Sequence, residues 1–500
     1  MWWRQFGDGG KEVLWEGNTV LLKKRLVLIQ PKPLSKHLIT EATGRLYPLG
    51  LFVIDALTPK EEWDVEILDE GRERFDIDRV NAETISLAGI NSWTNQAARA
   101  YEIAGALRQR GVPVILGGPH PSALPDEALR YVDSVCIGEA EGIWASVLAD
   151  VKDRGLKPIY QGGMTSLDRV PVLRNPLRDK YSYGSIQTAR GCPYDCSFCS
   201  VTSTNGAIIR YRPIADVVEE FRHIKQRNVF FVDDNFIGSG RAGRERALEL
   251  CKALADLRRQ GVRKYWGTQA TQNLGREDEV LEWMYKAGCR MVLFGLESVD
   301  RRVIQDVHKG INTVGDYKKH IQNTQRHGIA VIASFIFGND SDSPTVFEDT
   351  VRFIKDSRAA TQNLNIACPL PGTRLFKEVA QAGRLRYTNF PEDWEKYNLK
   401  QVVFEPENWS PIELYKKRKW AEGQLSSKPT LLRRTLRTLW DTRSPSAALI
   451  ALGWNLQARS RESEYQHQIE LLEKEMRQEA SSAELARRPR VPTADILRQR

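Results

Sequence analysis

Gly191-Cys192-Pro193-Tyr194-Asp195-Cys196-Ser197-Phe198-Cys199 sets three cysteines at CxxxCxxC spacing on one short stretch. Three thiolates so placed can each hold one iron of a 4Fe–4S cluster and leave the fourth iron open. Clusters that only carry electrons normally have four thiolate ligands, and no fourth cysteine lies near these three. Cys136, Cys251, Cys289 and Cys368 are scattered, mostly in apolar runs, as small buried residues are. A small molecule must then fill the open position. Two other readings compete: a zinc site short of a ligand, and three unrelated structural cysteines. Zinc usually takes CxxC pairs with a second pair or His partners, and none follow at a suitable distance.

Working outward, seven cysteines in 500 residues with a cluster motif among them argue against a disulfide scaffold and for a reducing compartment, the cytoplasm. No apolar run reaches the roughly 18 residues of a membrane span; the strongest, residues 329–337 and 447–452, are far shorter. Met1-Trp2-Trp3-Arg4-Gln5 opens no apolar h-region, so no secretory signal is expected. With 41% hydrophobic and 27% charged residues the chain is globular, and its length allows about three domains. The net charge of +9 is concentrated, because residues 411–460 hold 10 Lys/Arg against 3 Asp/Glu. Lys416-Lys417-Arg418-Lys419, Arg433-Arg434 and Arg437 fit peripheral contact with an anionic membrane surface or a phosphorylated substrate; the plainer alternative is the solvated faces of C-terminal helices. No nucleic-acid module is recognisable, so no nucleic-acid partner is expected.

Upstream of the cysteines, residues 25–160 alternate short apolar runs with helical stretches, the pattern of a parallel sheet. The candidate strands are 26–29, 64–68, 84–88, 112–116 and 134–137, with an evident helix over 95–109. Ligands in such sheets bind beyond the C-terminal strand ends. There the chain carries Asn91-Ser92-Trp93-Thr94, Gly117-Gly118-Pro119-His120-Pro121 and Gly138-Glu139-Ala140-Glu141-Gly142, whose glycines admit close backbone approach. Downstream, past a linker over 161–180, a second βα series starts with Gly184 to Thr188 and runs to about residue 385. Its further strands read as 229–236, 264–269, 291–298, 331–337 and 364–368.

The cysteine spacing, with Phe198 just before the last cysteine, resembles the signature of the radical S-adenosylmethionine (SAM) superfamily. The three loops upstream, with Pro48-Leu49-Gly50-Leu51, resemble the cobalamin-binding domain that precedes the catalytic domain in one large radical SAM class. The resemblance covers roughly residues 25 to 460. It implies that Cys192, Cys196 and Cys199 ligate the cluster and that the amino and carboxylate groups of SAM chelate its open iron. Asp233, Asp234 and Asn235, at a strand end, fall where the family contacts the SAM amino group. Glu297 and Ser298 fall where it reaches SAM polar groups, and Lys309-Gly310 is a typical basic turn. Ser334-Phe335-Ile336-Phe337-Gly338 matches the GxIxG adenine pattern at Ile336 and Gly338, with serine in place of the first glycine. Pro369-Leu370-Pro371-Gly372-Thr373 is common in the cobalamin branch and reads as a structural turn or a substrate contact. For cobalamin, Ser92, Trp93, Thr94, Gly117, Gly118, His120, Gly138 and Glu139 are the implied contacts. No DxHxxG is present, and Asp306-Val307-His308-Lys309-Gly310 has the wrong spacing in the wrong domain, so cobalt should lack a protein histidine ligand. His120 lines the tail pocket or packs structurally.

The fold class expected is α/β: a doubly wound cobalamin-binding-like domain over 25–160, a radical SAM partial βα barrel over 181–385, and a helical C-terminal domain over 386–480. Residues 1–24 form an N-terminal extension and 481–500 a mobile tail. Trp394, Tyr397, Trp409 and Trp420 cover the barrel or line an apolar substrate pocket. The resemblance implies an enzyme that methylates an unactivated carbon of a small-molecule substrate, reduced by an external donor such as flavodoxin or ferredoxin. The alternatives with the same cofactors are radical cyclisation, rearrangement and transfer of the 3-amino-3-carboxypropyl part of SAM. Further off stands a cluster-bearing sensor without turnover.

Overall fold

Two six-stranded parallel sheets organise the chain. The structure, a computed structural model, describes residues 23–33, 46–79, 81–153, 155–460 and 466–474. The expected N-terminal extension up to residue 22 and the expected tail over 481–500 lie outside the described residues. Near the end of the helical C-terminal domain expected over 386–480, residues 466–474 are helical.

The first sheet comprises β1 (Lys24–Gln30), β2 (Trp63–Asp69), β3 (Ile85–Asn91), β4 (Val114–Gly117), β5 (Ser134–Ile137) and β6 (Ile159–Gln161), in the order β2-β1-β3-β4-β5-β6. Side chains of a strand alternate between faces, and here both faces are covered. Leu26, Leu28, Leu87 and Ile115 face the helices Leu49–Leu57 and Trp144–Asp153. Val27, Ile29, Ala88, Ile90 and Leu116 face the helix Ala97–Arg108. A central strand such as β1 must therefore be apolar on both sides, and every residue from Leu26 to Gln30 is buried. The strand order reverses between β1 and β3, which opens a crevice at their C-terminal ends. The short edge strand β6 was not anticipated.

The second sheet is the partial barrel. It comprises β7 (Gly184–Ile186), β10 (Asn228–Phe231), β11 (Tyr265–Ala270), β12 (Cys289–Glu297), β13 (Ala330–Phe337) and β14 (Thr361–Ile366), and neighbours follow one another in sequence. Each strand returns through a helix, and strands and helices share one large core that includes Phe231, Phe294, Phe335 and the helix Gly240–Arg259. Between β7 and β10 a small antiparallel hairpin, β8 (Ala189–Arg190) and β9 (Arg210–Tyr211), frames the three-cysteine loop. Two-residue strands carry no periodic signal, and this hairpin was not anticipated either.

Three of the four C-terminal aromatics belong to the core. Trp394 and Tyr397 are buried in the core of the first sheet, with Trp394 stacked on Phe390 at 3.7 Å between centroids. Trp409 is buried in the barrel core, and Trp420 is exposed. The segment after the barrel thus stitches the two sheets together. The helices Pro411–Ser426, Lys428–Thr442 and Pro445–Ser460 follow. The first starts at a capping box in which Ser410 N donates to Glu413 Oε2 at 3.1 Å. The run Lys416 to Lys419 does not form a free basic face: Lys416 pairs with Glu473 at 3.0 Å, Lys417 pairs with Glu348, and buried Arg418 donates to Lys400 O at 3.0 Å.

Candidate active site

The cysteine loop sits at the C-terminal end of β7, and backbone geometry fixes its entry. Gly191 has φ 94°, and a Cβ there would lie 2.3 Å from Ile208 O, so only glycine makes this turn. Cys192 N donates to Gly206 O at 3.2 Å, and Ser197 N to Val307 O at 3.1 Å. Ser197 O accepts from Leu375 N at 2.9 Å, so the helix that follows the PLPGT turn also holds the loop. All three thiols are unpaired and half-buried. Burial pushes Cys196 up to about 12 against the Lys309 ammonium, while Cys199 and Cys192 push it further up. Burial likewise takes Cys199 to about 11 and raises Cys192. The three sulfurs are thus near enough to feel one another's charge. Among the described residues, no group of three or more His, Cys, Asp or Glu closes around a single ion position. Three neighbouring thiols suit a cluster, which takes one thiolate per iron.

The strand-end residues brace this loop. Buried Asp233 accepts from Thr188 N and Thr188 Oγ1, both at 2.5 Å, and from Ala189 N at 3.1 Å. Burial lifts its carboxyl to about 6 despite these donors. Asp234 accepts from Gly191 N at 2.8 Å and from Asn205 Nδ2 at 3.0 Å. Asn235 donates to Gly238 O at 3.0 Å and accepts from Thr271 N at 3.1 Å. Of the three residues expected to meet the SAM ammonium, Asp233 and Asp234 thus also anchor the strand and turn that lead into the cysteine loop, and Asn235 ties its own turn to Thr271. At the end of β12, Glu297 has φ 64° and pairs with Lys309. Burial disfavours the Lys309 ammonium, but Glu297 and the Cys196 and Cys199 sulfurs outweigh it, so its pKa is raised. One fixed positive charge therefore stands beside the cluster cysteines. Ser298 Oγ accepts from Asp300 N at 3.1 Å. Half-buried Ile336 lies near the end of β13, and Gly338 N, just beyond it, donates to Asp342 at 2.7 Å.

The crevice of the first sheet holds a cavity of about 230 Å³ on the side of the helix Leu49–Leu57. Gly117, Gly118, Gly138 and Glu139 line it, together with Gly50. Gly118 has φ 107°, and a Cβ there would strike Asn91 Oδ1 at 2.5 Å. At Gly50 the situation is the reverse: no atom lies within 4 Å of where a Cβ would stand. That is a cradle which a side chain would fill, and it fits an extended cofactor tail slid between helix and sheet. Ser92, Trp93 and Thr94 lie beyond β3 and outside this lining; Ser92 is buried and Trp93 exposed.

His120 lies on the other face of the sheet. It is fully buried, edge-on to Trp394 at 5.3 Å, with Nε2 3.1 Å from Tyr101 Oη and 3.2 Å from Glu127 Oε1. Burial opposes the Glu127 carboxylate, yet hydrogen bonds from His120, Trp394 and Tyr101 outweigh it and lower its pKa. His120 thus packs against Tyr101, Glu127 and Trp394 and is not among the residues that line the cavity.

The cavity does not end at the domain border. Arg190, Thr204 and Asn205, from the hairpin and helix around the cysteine loop, also line it. Across the same border Glu139 receives Arg210 in a fork, at 2.5 and 2.8 Å, and Glu141 receives Arg190 at 2.5 Å. Neither arginine was singled out by sequence reasoning, since isolated basic residues carry no motif. Their only trace is Arg190 standing directly before the cysteine loop.

A doubly wound sheet whose crevice runs on to a three-thiol loop at the strand ends of a partial βα barrel is an arrangement suited to a cluster-bearing enzyme with a second, tail-bearing cofactor. Comparison with known proteins agrees. Residues 186–354 match the Radical SAM superfamily and residues 35–148 the B12 binding domain. The chain is 31% identical over 398 residues to bacteriochlorophyllide d C-12(1)-methyltransferase of Chlorobaculum tepidum, covering 77% of this chain and 83% of that one. It is 29% identical over 364 residues to hopanoid C-2 methylase of Rhodopseudomonas palustris, covering 70% and 67%. The fold is similar to the solved structure of the radical SAM methyltransferase TsrM of Kitasatospora setae with tryptophan and a SAM analogue bound, at TM-score 0.65 and 17% identity over 81% of this chain and 89% of that one. The chain belongs to the radical SAM superfamily, in the branch that carries a B12 binding domain. It is an enzyme of the cobalamin-dependent methyltransferase kind, and its cofactors are a 4Fe–4S cluster, SAM and cobalamin.

Proposed function

We propose that this chain methylates an unactivated carbon of a lipophilic, polycyclic small molecule. The observation that carries the reading is the continuity of the crevice: one cavity is lined by Gly117, Gly118 and Gly138 of the first domain and by Arg190, Thr204 and Asn205 beside the cluster cysteines. Methyl donor and radical source then share one chamber, as removal of a substrate hydrogen followed by methyl transfer requires. The substrate class is supported by the two relatives, named for a bacteriochlorophyllide and for hopanoids.

With the cofactors bound, SAM supplies the radical that removes a substrate hydrogen, and cobalamin supplies the methyl group. The residues of the chain position and shield. Cys192, Cys196 and Cys199 hold the cluster, and Lys309 offsets the negative charge of their thiolates. Asp233 and Asp234 fix the loop through its main-chain N–H groups, so the cluster keeps its register with the strand ends, where orientation dominates rate. Glu297, Ser298, Ile336 and Gly338 are proposed to face SAM from β12 and β13. Gly372 of the PLPGT turn sits between the domains, where an added Cβ would lie 3.3 Å from Ala123 Cβ and 3.4 Å from Ser203 Oγ. The three-cysteine cluster motif supports a reducing compartment, the cytoplasm, with an external electron donor such as flavodoxin or ferredoxin.

Anaerobically reconstituted enzyme, given SAM, a reductant and an extract of apolar metabolites, should form 5′-deoxyadenosine and S-adenosylhomocysteine in equal amounts, one SAM for each half of the cycle. Deoxyadenosine without S-adenosylhomocysteine would overturn methyl transfer in favour of cyclisation, rearrangement or aminocarboxypropyl transfer.

A further inference from the structure

The hairpin of helices Lys428–Thr442 and Pro445–Ser460 buries one side on the N-terminal ends of the barrel strands. Ala447 and Ala451 pack on Ala330, the first residue of β13, and on Ala360, just before β14. Arg290 Nε of β12 donates to Ser446 Oγ at 2.9 Å. The opposite side of the hairpin is not built for water. Leu432, Leu436 and Trp440 recur at i, i+4 and i+8 and are 64%, 58% and 80% exposed; Leu449 and Leu456, two turns apart on the second helix, are 66% and 52% exposed. A solvated helix places charges on such a face, yet residues 445–460 contain a single charged residue, Arg459. Apolar residues scattered singly over a surface need no explanation, whereas five aligned on two adjoining helices do.

The rim is basic. Arg433 and Arg437 each follow a stripe leucine by one residue and flank the stripe on one side, Lys428 flanks it on the other, and Arg443 sits in the turn between the helices; all four are exposed. The one acidic residue on the hairpin, Asp441, pairs with Arg358 at 2.7 Å, and Arg434 turns inward to Gln362 and to Ala359 O. On the same end of the barrel, Arg290 lies 5.2 Å over the ring of Tyr265. That ring lines a surface hollow with Arg227, Arg258, Arg259, Arg263 and Lys286, of which Arg259 pairs with Asp256 and Lys286 with Glu282.

We infer that this end of the barrel docks on an anionic lipid bilayer. The leucine stripe enters the interface with Trp440 at headgroup level, while Arg433, Arg437 and the arginine hollow meet lipid phosphates. Charge complementarity selects this occupant over a second copy, because a two-fold contact through the same patch would set the two basic rims against each other. The cluster cysteines lie at the opposite ends of the strands, so docking leaves the active site facing the aqueous side. The inference stands on the hairpin and its rim and does not depend on which reaction the enzyme performs.

Flotation of the full-length, cluster-reconstituted protein with phosphatidylcholine vesicles, with and without phosphatidylglycerol, tests it. Binding should require phosphatidylglycerol, fall at least about tenfold in high salt, and be accompanied by a blue shift of tryptophan emission. The double variant Leu436→Glu/Trp440→Glu should lose at least about tenfold in vesicle partition while keeping its helical circular dichroism and its 5′-deoxyadenosine formation. Arg433→Glu/Arg437→Glu, which leaves the apolar stripe intact, should abolish the preference for phosphatidylglycerol. Failure of the wild type to float with anionic vesicles, or wild-type flotation by both double variants, overturns the inference. So does a dimer in sedimentation velocity that Leu436→Glu/Trp440→Glu dissociates, which would assign the face to a second copy.

Discussion

Asp342 receives two main-chain donors on one carboxyl oxygen, Gly338 N at 2.7 Å and Asn339 N at 3.0 Å, while its other oxygen is buried without a partner. Burial lifts its pKa from 3.8 to about 7, with the two donors opposing. A carboxyl whose folded pKa is raised binds its proton more tightly in the folded chain. Its contribution to stability is therefore full below the unfolded value and is lost as pH rises through about 7. Thermal unfolding should shift to lower temperature between about pH 4 and 7, and Asp342→Asn should flatten that part of the profile. Cys192→Ala, Cys196→Ala or Cys199→Ala should each abolish 5′-deoxyadenosine formation, read by chromatography of anaerobic reactions. At Gly50 the open space allows a large side chain without a clash, so Gly50→Trp should fold, melt near the wild type and lose bound hydroxocobalamin. His120→Ala should leave the cobalt absorption spectrum unchanged, since that ring lies behind the sheet. The cysteines were legible in the sequence because their spacing lies on one short stretch and resembles a known signature whatever the packing around it. The bonds of Asp233 and Asp234 to Thr188, Ala189 and Gly191 were not, because a strand-end carboxylate shows no sign in the sequence of which main-chain donors packing brings to it. For His120, the flanking prolines gave no hint of which face the short helix would bury.

At the scale of elements, the GEAEG loop and the β8–β9 hairpin form a lock. Burial disfavours the Glu139 carboxylate, but Arg210 and the Thr165 N–H outweigh it and lower its pKa. Glu139→Ala would leave Arg210 and Arg190 partly buried without that partner, a change that typically costs about 3–5 kcal/mol. Its measurable result should be a lower denaturant midpoint together with weaker cobalamin binding, whereas Arg241→Ala, at an exposed pair elsewhere, should change neither. The GEAEG loop was legible as a cavity-lining loop because its glycines follow a strand. Its second task was hidden, since the partners at Arg190 and Arg210 lie in another domain and on strands too short to show a period. The βα strands of both sheets were readable for the opposite reason: strands buried on two faces must be continuous apolar runs, and such runs stand out between helices.

For the molecule as a whole, the decisive feature is that two domains recognisable separately share one chamber. The sequence shows two sheets in tandem. That Trp394 and Tyr397 clamp the first sheet to the end of the barrel, and so turn its crevice onto the cysteine loop, depends on contacts between residues hundreds of positions apart. The C-terminal basic excess shows the same limit: Lys416 to Arg418 are engaged internally, and the free basic rim lies one helix further on. Joint methyl donor and radical source is the central claim, and labelled methyl groups test it most directly. Cells with and without this protein, grown on methionine carrying a CD3 group, should differ by an apolar metabolite that carries the CD3 group intact on carbon only when the protein is present. A protein-dependent product with unchanged carbon count, or one enlarged by the aminocarboxypropyl unit, would contradict it.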